Sequence, residues 1–207
     1  MIAPMIRPRI VALAVALLAL PIAVLAANDQ PGLRAPAAFA SIADRDARSV
    51  ALFTEMGKVI ESPRCLNCHP RGDHPLQGDS MHPHSPPVVR GAYGYGAPGM
   101  ECGTCHGRDN VDFANGTGSI PGNRKWHIAP LSMAWEGRTL GEICAQIKDP
   151  ARNGNKSLAD LVTHNETDDL VGWGWHPGKG RTPAPGTQAQ FGALTRAWVE
   201  SGAKCPA

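Results

Sequence analysis

Two copies of one five-residue pattern constrain this chain more than anything else in it: Cys65-Leu66-Asn67-Cys68-His69 and Cys102-Gly103-Thr104-Cys105-His106. Cys-x-x-Cys-His is the attachment pattern of a c-type haem. Two thiols add across the vinyl groups, and the histidine behind them becomes the proximal ligand of the iron. One copy of so short a pattern arises by chance, but two copies behind an apolar leader predict two covalent haems. A four-thiolate zinc site would leave both histidines without a role, because zinc takes four ligands in all. A thioredoxin-type Cys-x-x-Cys belongs in a βαβ pattern, and neither copy lies in one. The expected cofactors are thus two haem c groups. Cys65, Cys68, Cys102 and Cys105 carry the attachments, and His69 and His106 face the irons.

The amino terminus reads as an export signal. Met1 to Arg9 holds two arginines, Ile10 to Ala26 is almost wholly apolar apart from Pro21, and the run closes on Val24-Leu25-Ala26. A basic start, an apolar middle and a small-residue end make a signal peptide over residues 1–26, with Ala27 opening a single domain over 27–207. If retained, the segment approaches the lower length limit of a membrane anchor. Export points to the periplasm, where thiols oxidise. The two cysteines outside the motifs, Cys144 and Cys205, are therefore expected to form a disulfide.

The full chain has 20 basic and 18 acidic residues, and loss of Arg7 and Arg9 with the leader leaves 18 of each. No clustered basic stripe exists, so nucleic acid is not an expected partner. Aromatic residues make up 5% of the chain, against 23 glycines and 19 prolines. Side chains alone fill a core poorly at that composition, and two flat apolar macrocycles would supply much of the interior.

The expected fold class is mostly α with long loops, a dihaem cytochrome c with both haems in one compact unit. Apolar periodicity marks a helix over Phe39 to Glu61, with Pro63 as its stop. From Pro70 to Gly99 six prolines and six glycines exclude sustained regular structure. Thr139 with Glu142 reads as a capping box opening Leu140 to Lys148, Ser157 with Asp160 opens another helix, and a last one runs from about Thr187 to Ser201.

Only 32 residues separate His69 from Cys102, too few for a self-contained domain around the first haem. Close motifs and surplus histidines favour a histidine on each distal side. His82-Pro83-His84 is the densest candidate group, its proline aiming the two rings differently. His127 sits between Trp126 and Ile128-Ala129-Pro130 in a setting suited to holding a ring still. His84 and His127 are the expected distal ligands, His82 is next, and Met133 is the thioether alternative for the second haem. His74, His164 and His176 read as surface or hydrogen-bonding histidines.

Beyond the motifs, the segments CLNCHPRGDHPLQGDSMHPHSPPVVRG, CGTCHG, WHIAPLSMAWEGRTLGEICAQIKDPARNG, LVGWGWHPGKGRTPAPGTQAQFGAL and AWVESGAKCP resemble a family of small bacterial cytochromes. These are the cytochrome subunits associated with isoquinoline 1-oxidoreductase-type molybdenum hydroxylases. The resemblance runs from Cys65 to Pro206. It implies a periplasmic electron-transfer protein, not an enzyme in its own right. Its implied partners are a dehydrogenase that oxidises heteroaromatics or aldehydes and a downstream cytochrome or oxidase. A dihaem peroxidase-like enzyme and a structural haem subunit are the alternatives.

Overall fold

The computed structural model describes residues 32–207, so the leader expected over residues 1–26 lies outside the described residues. Helix α1 spans Arg45–Ile60 and starts later than periodicity alone indicates. The reason is Asp44, whose carboxylate accepts from Ala47 N at 2.7 Å and caps the helix, while Pro36–Phe39 form a separate 3-10 turn ahead of it. Pro63 does not stop α1. The helix ends three residues earlier, at Ile60, and Pro63 is the first residue of a single-turn helix α2, Pro63–Leu66, where a missing N–H costs nothing.

Three further capped helices complete the frame. Helix α3 is Leu140–Lys148, opened by the Thr139–Glu142 capping box, and α4 is Leu158–Thr167, opened by the Ser157–Asp160 box. A four-residue α5, Asp169–Gly172, follows. Helix α6, Gln188–Glu200, is opened by a box of Thr187 and Gln190. Extended structure among the described residues is confined to three antiparallel pairs of two-residue strands: β1 Leu76–Gln77 with β2 His82–Pro83, β3 Gly96–Ala97 with β4 Met100–Glu101, and β5 Val111–Asp112 with β6 Ser119–Ile120. The chain is mostly helical, with long loops between residues 67 and 139.

The core lies where α1 crosses α6. Phe53 and Trp198 are fully buried, with ring centres 5.0 Å apart, and Leu52, Met56, Ile60, Ile143 and Leu194 close around them. Trp198 donates its indole N–H to Lys204 O at 2.8 Å, so the last residues fold back over the core. There Cys205 is bridged to Cys144 of α3 across 5.6 Å between Cα atoms, closing a 61-residue loop. The expected disulfide is present. Among the described residues no helix is long and apolar enough to cross a membrane.

One buried carboxylate ties the irregular segment around Arg34 to α1. Glu55 is 1% exposed and accepts from Arg34 Nε at 2.8 Å and Lys58 Nζ at 2.6 Å. Burial alone would raise its pKa, but the hydrogen bonds from Lys58 and Arg34 outweigh it and leave the carboxyl below its ordinary value.

Candidate functional site

The first motif begins on α2. The turn continues past Leu66, with Cys68 N and His69 N both bonded to Cys65 O at 3.1 Å. That winding brings Cys65, Cys68 and His69 together on the wall of a cavity of about 340 Å3, within the 300–1,000 Å3 typical of small-molecule and cofactor sites. Ile60, Ile147, Leu161, Val171 and Phe191, from α1, α3, α4, α5 and α6, supply much of the remaining wall together with Trp175 of the 3-10 turn Trp173–Trp175.

His69 is fixed on two sides. Its Nδ1 donates to Met133 O at 2.7 Å, and Trp135 stacks on its ring at 3.5 Å between centres and 8° between planes. A carbonyl only accepts, so the proton is on Nδ1 and the lone pair is on Nε2, the tautomer that can ligate a metal through Nε2. Burial lowers the His69 pKa to about 4, which keeps the ring neutral at neutral pH. Burial likewise pushes Cys65 up to about 12, with Cys68 adding to it, and Cys68 up to about 11.

The second motif starts as the 3-10 turn Cys102–Thr104, and His106 N bonds to Cys102 O at 2.9 Å. His106 has the same two supports as His69. Its Nδ1 donates to Pro121 O at 2.8 Å, and Trp126 stacks on it at 4.7 Å and 18°. Burial lowers its pKa as well. Trp126 therefore steadies His106 rather than its own neighbour His127. A positive φ at Gly94 permits this approach: Ile128 N bonds to Gly94 O at 3.0 Å, and a side chain at Gly94 would strike Ile128 O.

The two sites adjoin. Cys102 is close enough to Cys68 to raise the latter's pKa, and Trp126 meets Trp173 edge-on at 4.8 Å, Trp173 being part of the first cavity's wall. Trp173 is itself held by Asn110, whose Oδ1 accepts its indole N–H at 3.0 Å.

The other sequence candidates separate clearly. His84 lies 5.9 Å from His106 between ring centres, its own Nδ1 donating to Pro86 O at 2.8 Å, so that both rings keep Nε2 free. His82, across the proline, is exposed and donates Nδ1 to Pro83 O at 2.8 Å. His127 lines the first cavity rather than standing beside His106. Its Nδ1 is bonded to Lys125 O and its ring rests 4.9 Å from Tyr95. Met133 also belongs to the first cavity, where its carbonyl holds His69 from behind. His164 of α4, read from the sequence as a surface or hydrogen-bonding histidine, is a third histidine in that wall.

Unpaired donors test whether a haem fits. Arg64 is 4% exposed and lines the first cavity; its Nη2 reaches Asp79 at 2.7 Å, while Nε and Nη1 are buried without an acceptor. Trp135 Nε1, on the same wall, is also buried and unpaired. Buried donors without partners are costly, about 1–3 kcal/mol each, and the propionate carboxylates of a haem are acceptors of the right charge. At the second site the signal is apolar. Tyr93, Tyr95, Met100, Val111, Phe113 and Ile120, six of the seven large exposed apolar side chains, come from the segment around Cys102-x-x-Cys-His. A flat apolar body would cover side chains of that kind. The residues at both motifs are of the types that could hold a haem.

Sequence reasoning passed over Arg64, Trp135 and His164. Arg64 carried a signal, a charged residue directly before the first motif cysteine. The other two carried none without the fold. No known protein family, curated protein or solved structure matches the chain.

Proposed function

We propose that this chain is an exported, periplasmic dihaem cytochrome c that carries electrons between proteins. It accepts them from a dehydrogenase of the molybdenum hydroxylase type and passes them to a downstream cytochrome or oxidase. The observation that carries the reading is the matched support of His69 and His106: each Nδ1 is tied to a backbone carbonyl, and each ring is stacked on an indole. Two unrelated histidines have no reason to share that support. Two iron ligands do, because a ring held in one tautomer and one rotation keeps its coordination unchanged when the metal changes charge.

When bound, haem supplies a one-electron ferric–ferrous couple. The chain's own residues do the rest. The four motif thiols would hold the macrocycles, and His69 and His106 would ligate through Nε2. His84, with its ring centre 5.9 Å from that of His106 and its Nδ1 tied to Pro86 O, would be the second histidine to hold the group at that site. Arg64 and Trp135 would pair with propionates, and the α1, α3, α4 and α6 side chains exclude water from the first site. Trp126 and Trp173 provide an aromatic contact between the two. The resemblance to molybdenum hydroxylase cytochrome subunits is what supports the choice of donor.

The test is direct. Mature protein is expected to weigh two haems more than its polypeptide and to keep both on acid–acetone extraction. His84→Ala should keep both covalently attached and turn one high-spin. Loss of pigment on extraction refutes the reading. A wild-type protein that is already partly high-spin and reacts with peroxide would point to the haem enzyme instead.

A further inference from the structure

Besides the motif residues, the wall of the first cavity holds three side chains of iron-ligating type: Met133, His127 and His164. Met133 stands on the wrong side. Its carbonyl accepts from His69 Nδ1, the edge of the ring turned away from the ligating nitrogen, so its backbone is behind the proximal histidine. His127 lies on an irregular segment, its Nδ1 bonded to Lys125 O and its ring against Tyr95, with no helix to hold it.

His164 differs from both. It sits on α4, which is locked to α6 by Asn165 Nδ2 donating to Thr195 Oγ1 at 3.0 Å and by the Glu166–Arg196 ion pair. Leu161 and Asn165, on the same helix face, line the cavity with it. Its Nδ1 lies 3.8 Å from Asp168 Oδ2, one turn on. Asp168 is itself pinned, its Oδ1 accepting from Leu170 N at 2.9 Å and Val171 N at 3.1 Å as the cap of α5. The 3.8 Å separation from His164 Nδ1 is an ion-pair distance and too long for a hydrogen bond, but it sets a carboxylate on the Nδ1 side of the ring and leaves Nε2 as the nitrogen open to a metal.

We propose that His164 is the distal ligand of the haem held by Cys65, Cys68 and His69, with Asp168 as the residue that positions its ring. The assignment rests on the cytochrome reading above. It makes the two sites alike in ligand type while drawing the distal histidines from different structures, a helix for the first and a short hairpin for the second.

The experiment uses the full-length, haem-loaded protein. His164→Ala should retain two covalent haems by mass and show half of its haem high-spin. After reduction it should bind one equivalent of carbon monoxide, and added imidazole should return it to low spin. The double variant with His84→Ala should be wholly high-spin. Asp168→Asn should stay low-spin yet move the potential of one haem upward and leave the other unchanged; two unmoved potentials would remove Asp168 from the proposal. A fully low-spin His164→Ala protein with both haems overturns the assignment, as does His127→Ala producing the half-high-spin protein in its place. If His164→Ala does not fold, His164→Met decides. A new far-red sulfur–iron band in the oxidised protein supports ligation from position 164, and a low-spin protein without that band overturns it. A wild-type protein with no covalent haem overturns both this inference and the reading beneath it, whereas the other outcomes leave that reading standing.

Discussion

Removing the Cys144–Cys205 bridge isolates what that bond contributes. The loop it closes has 61 residues. Chain-entropy reasoning for a loop of that length gives about 4 kcal/mol, taken from the unfolded state. The native state should change little, because the carboxyl terminus has other anchors: Lys204 N donates to Ser49 Oγ at 2.9 Å, Trp198 Nε1 donates to Lys204 O, and Lys204 pairs with Asp46 at 3.0 Å. Cys144 is fully buried and takes alanine best, while half-buried Cys205 takes serine. In a protein of this size each kcal/mol corresponds to about 2–4 °C, so Cys144→Ala/Cys205→Ser should melt about 8–16 °C lower, with an unaltered haem spectrum at room temperature. Urea unfolding of both proteins, matched for haem content, measures the difference. A midpoint within about 1 kcal/mol of wild type refutes the reasoning, since it means that the loop carrying α4, α5 and α6 is already restrained in the unfolded chain. A changed spectrum at room temperature refutes the second part, the claim that the native site does not lean on the bridge.

Two further outcomes follow from particular contacts. Glu55 has a folded pKa below its unfolded one, so its contribution is complete above the unfolded value near 4.5 and disappears as pH falls through the folded one. Glu55→Gln should cost roughly 1–3 kcal/mol at pH 7, the worth of charged hydrogen bonds, and the gap to wild type should close in melts run towards pH 3. A gap that stays constant would show that the carboxylate charge contributes nothing. Trp126→Leu removes both the stack on His106 and the contact with Trp173, and should cost about 0.5–1.5 kcal/mol. It should also slow electron exchange between the two sites severalfold in photochemical reduction experiments. Exchange at the wild-type rate would mean that the indole pair is structural only.

Helix starts were readable because their signals are local. Thr139 with Glu142 and Ser157 with Asp160 each satisfy orphan N–H groups within four residues, and α3 and α4 begin where those pairs place them. Thr187 with Gln190 works in the same way at α6, with an amide in place of the carboxylate. The error at the start of the chain was also local. Periodicity alone ran the first helix back to Phe39, past the aspartate that caps it. Pro63 was read as a terminator because proline ends helices from within, yet it opens the next turn, the one place in a helix where it is favoured. The Cys144–Cys205 bridge was legible by subtraction, once the motifs had taken the other four thiols.

The candidate site divides along the same line. Cys65, Cys68, His69, Cys102, Cys105 and His106 are fixed by five-residue patterns, so the fold was not needed to find them. The supports of the two histidines are not local. Met133 and Trp135 lie more than sixty residues beyond His69 and reach it only because residues 133–135 bond back across the motif, with Trp135 N on His69 O at 2.9 Å. Trp126 was credited to His127 because they are adjacent in the chain, but adjacent residues in an extended segment point to opposite sides, and the indole lies on His106. His164 was the least legible. Its neighbours in sequence, Thr163 and Glu166, are exposed or half-exposed, and a helix that buries only Leu161 and Val162 gives little sign that its third face closes a cavity. What marks the residue is the packing of α4 on α6 together with an aspartate one turn away. That pair can be read only after the helices have been brought together.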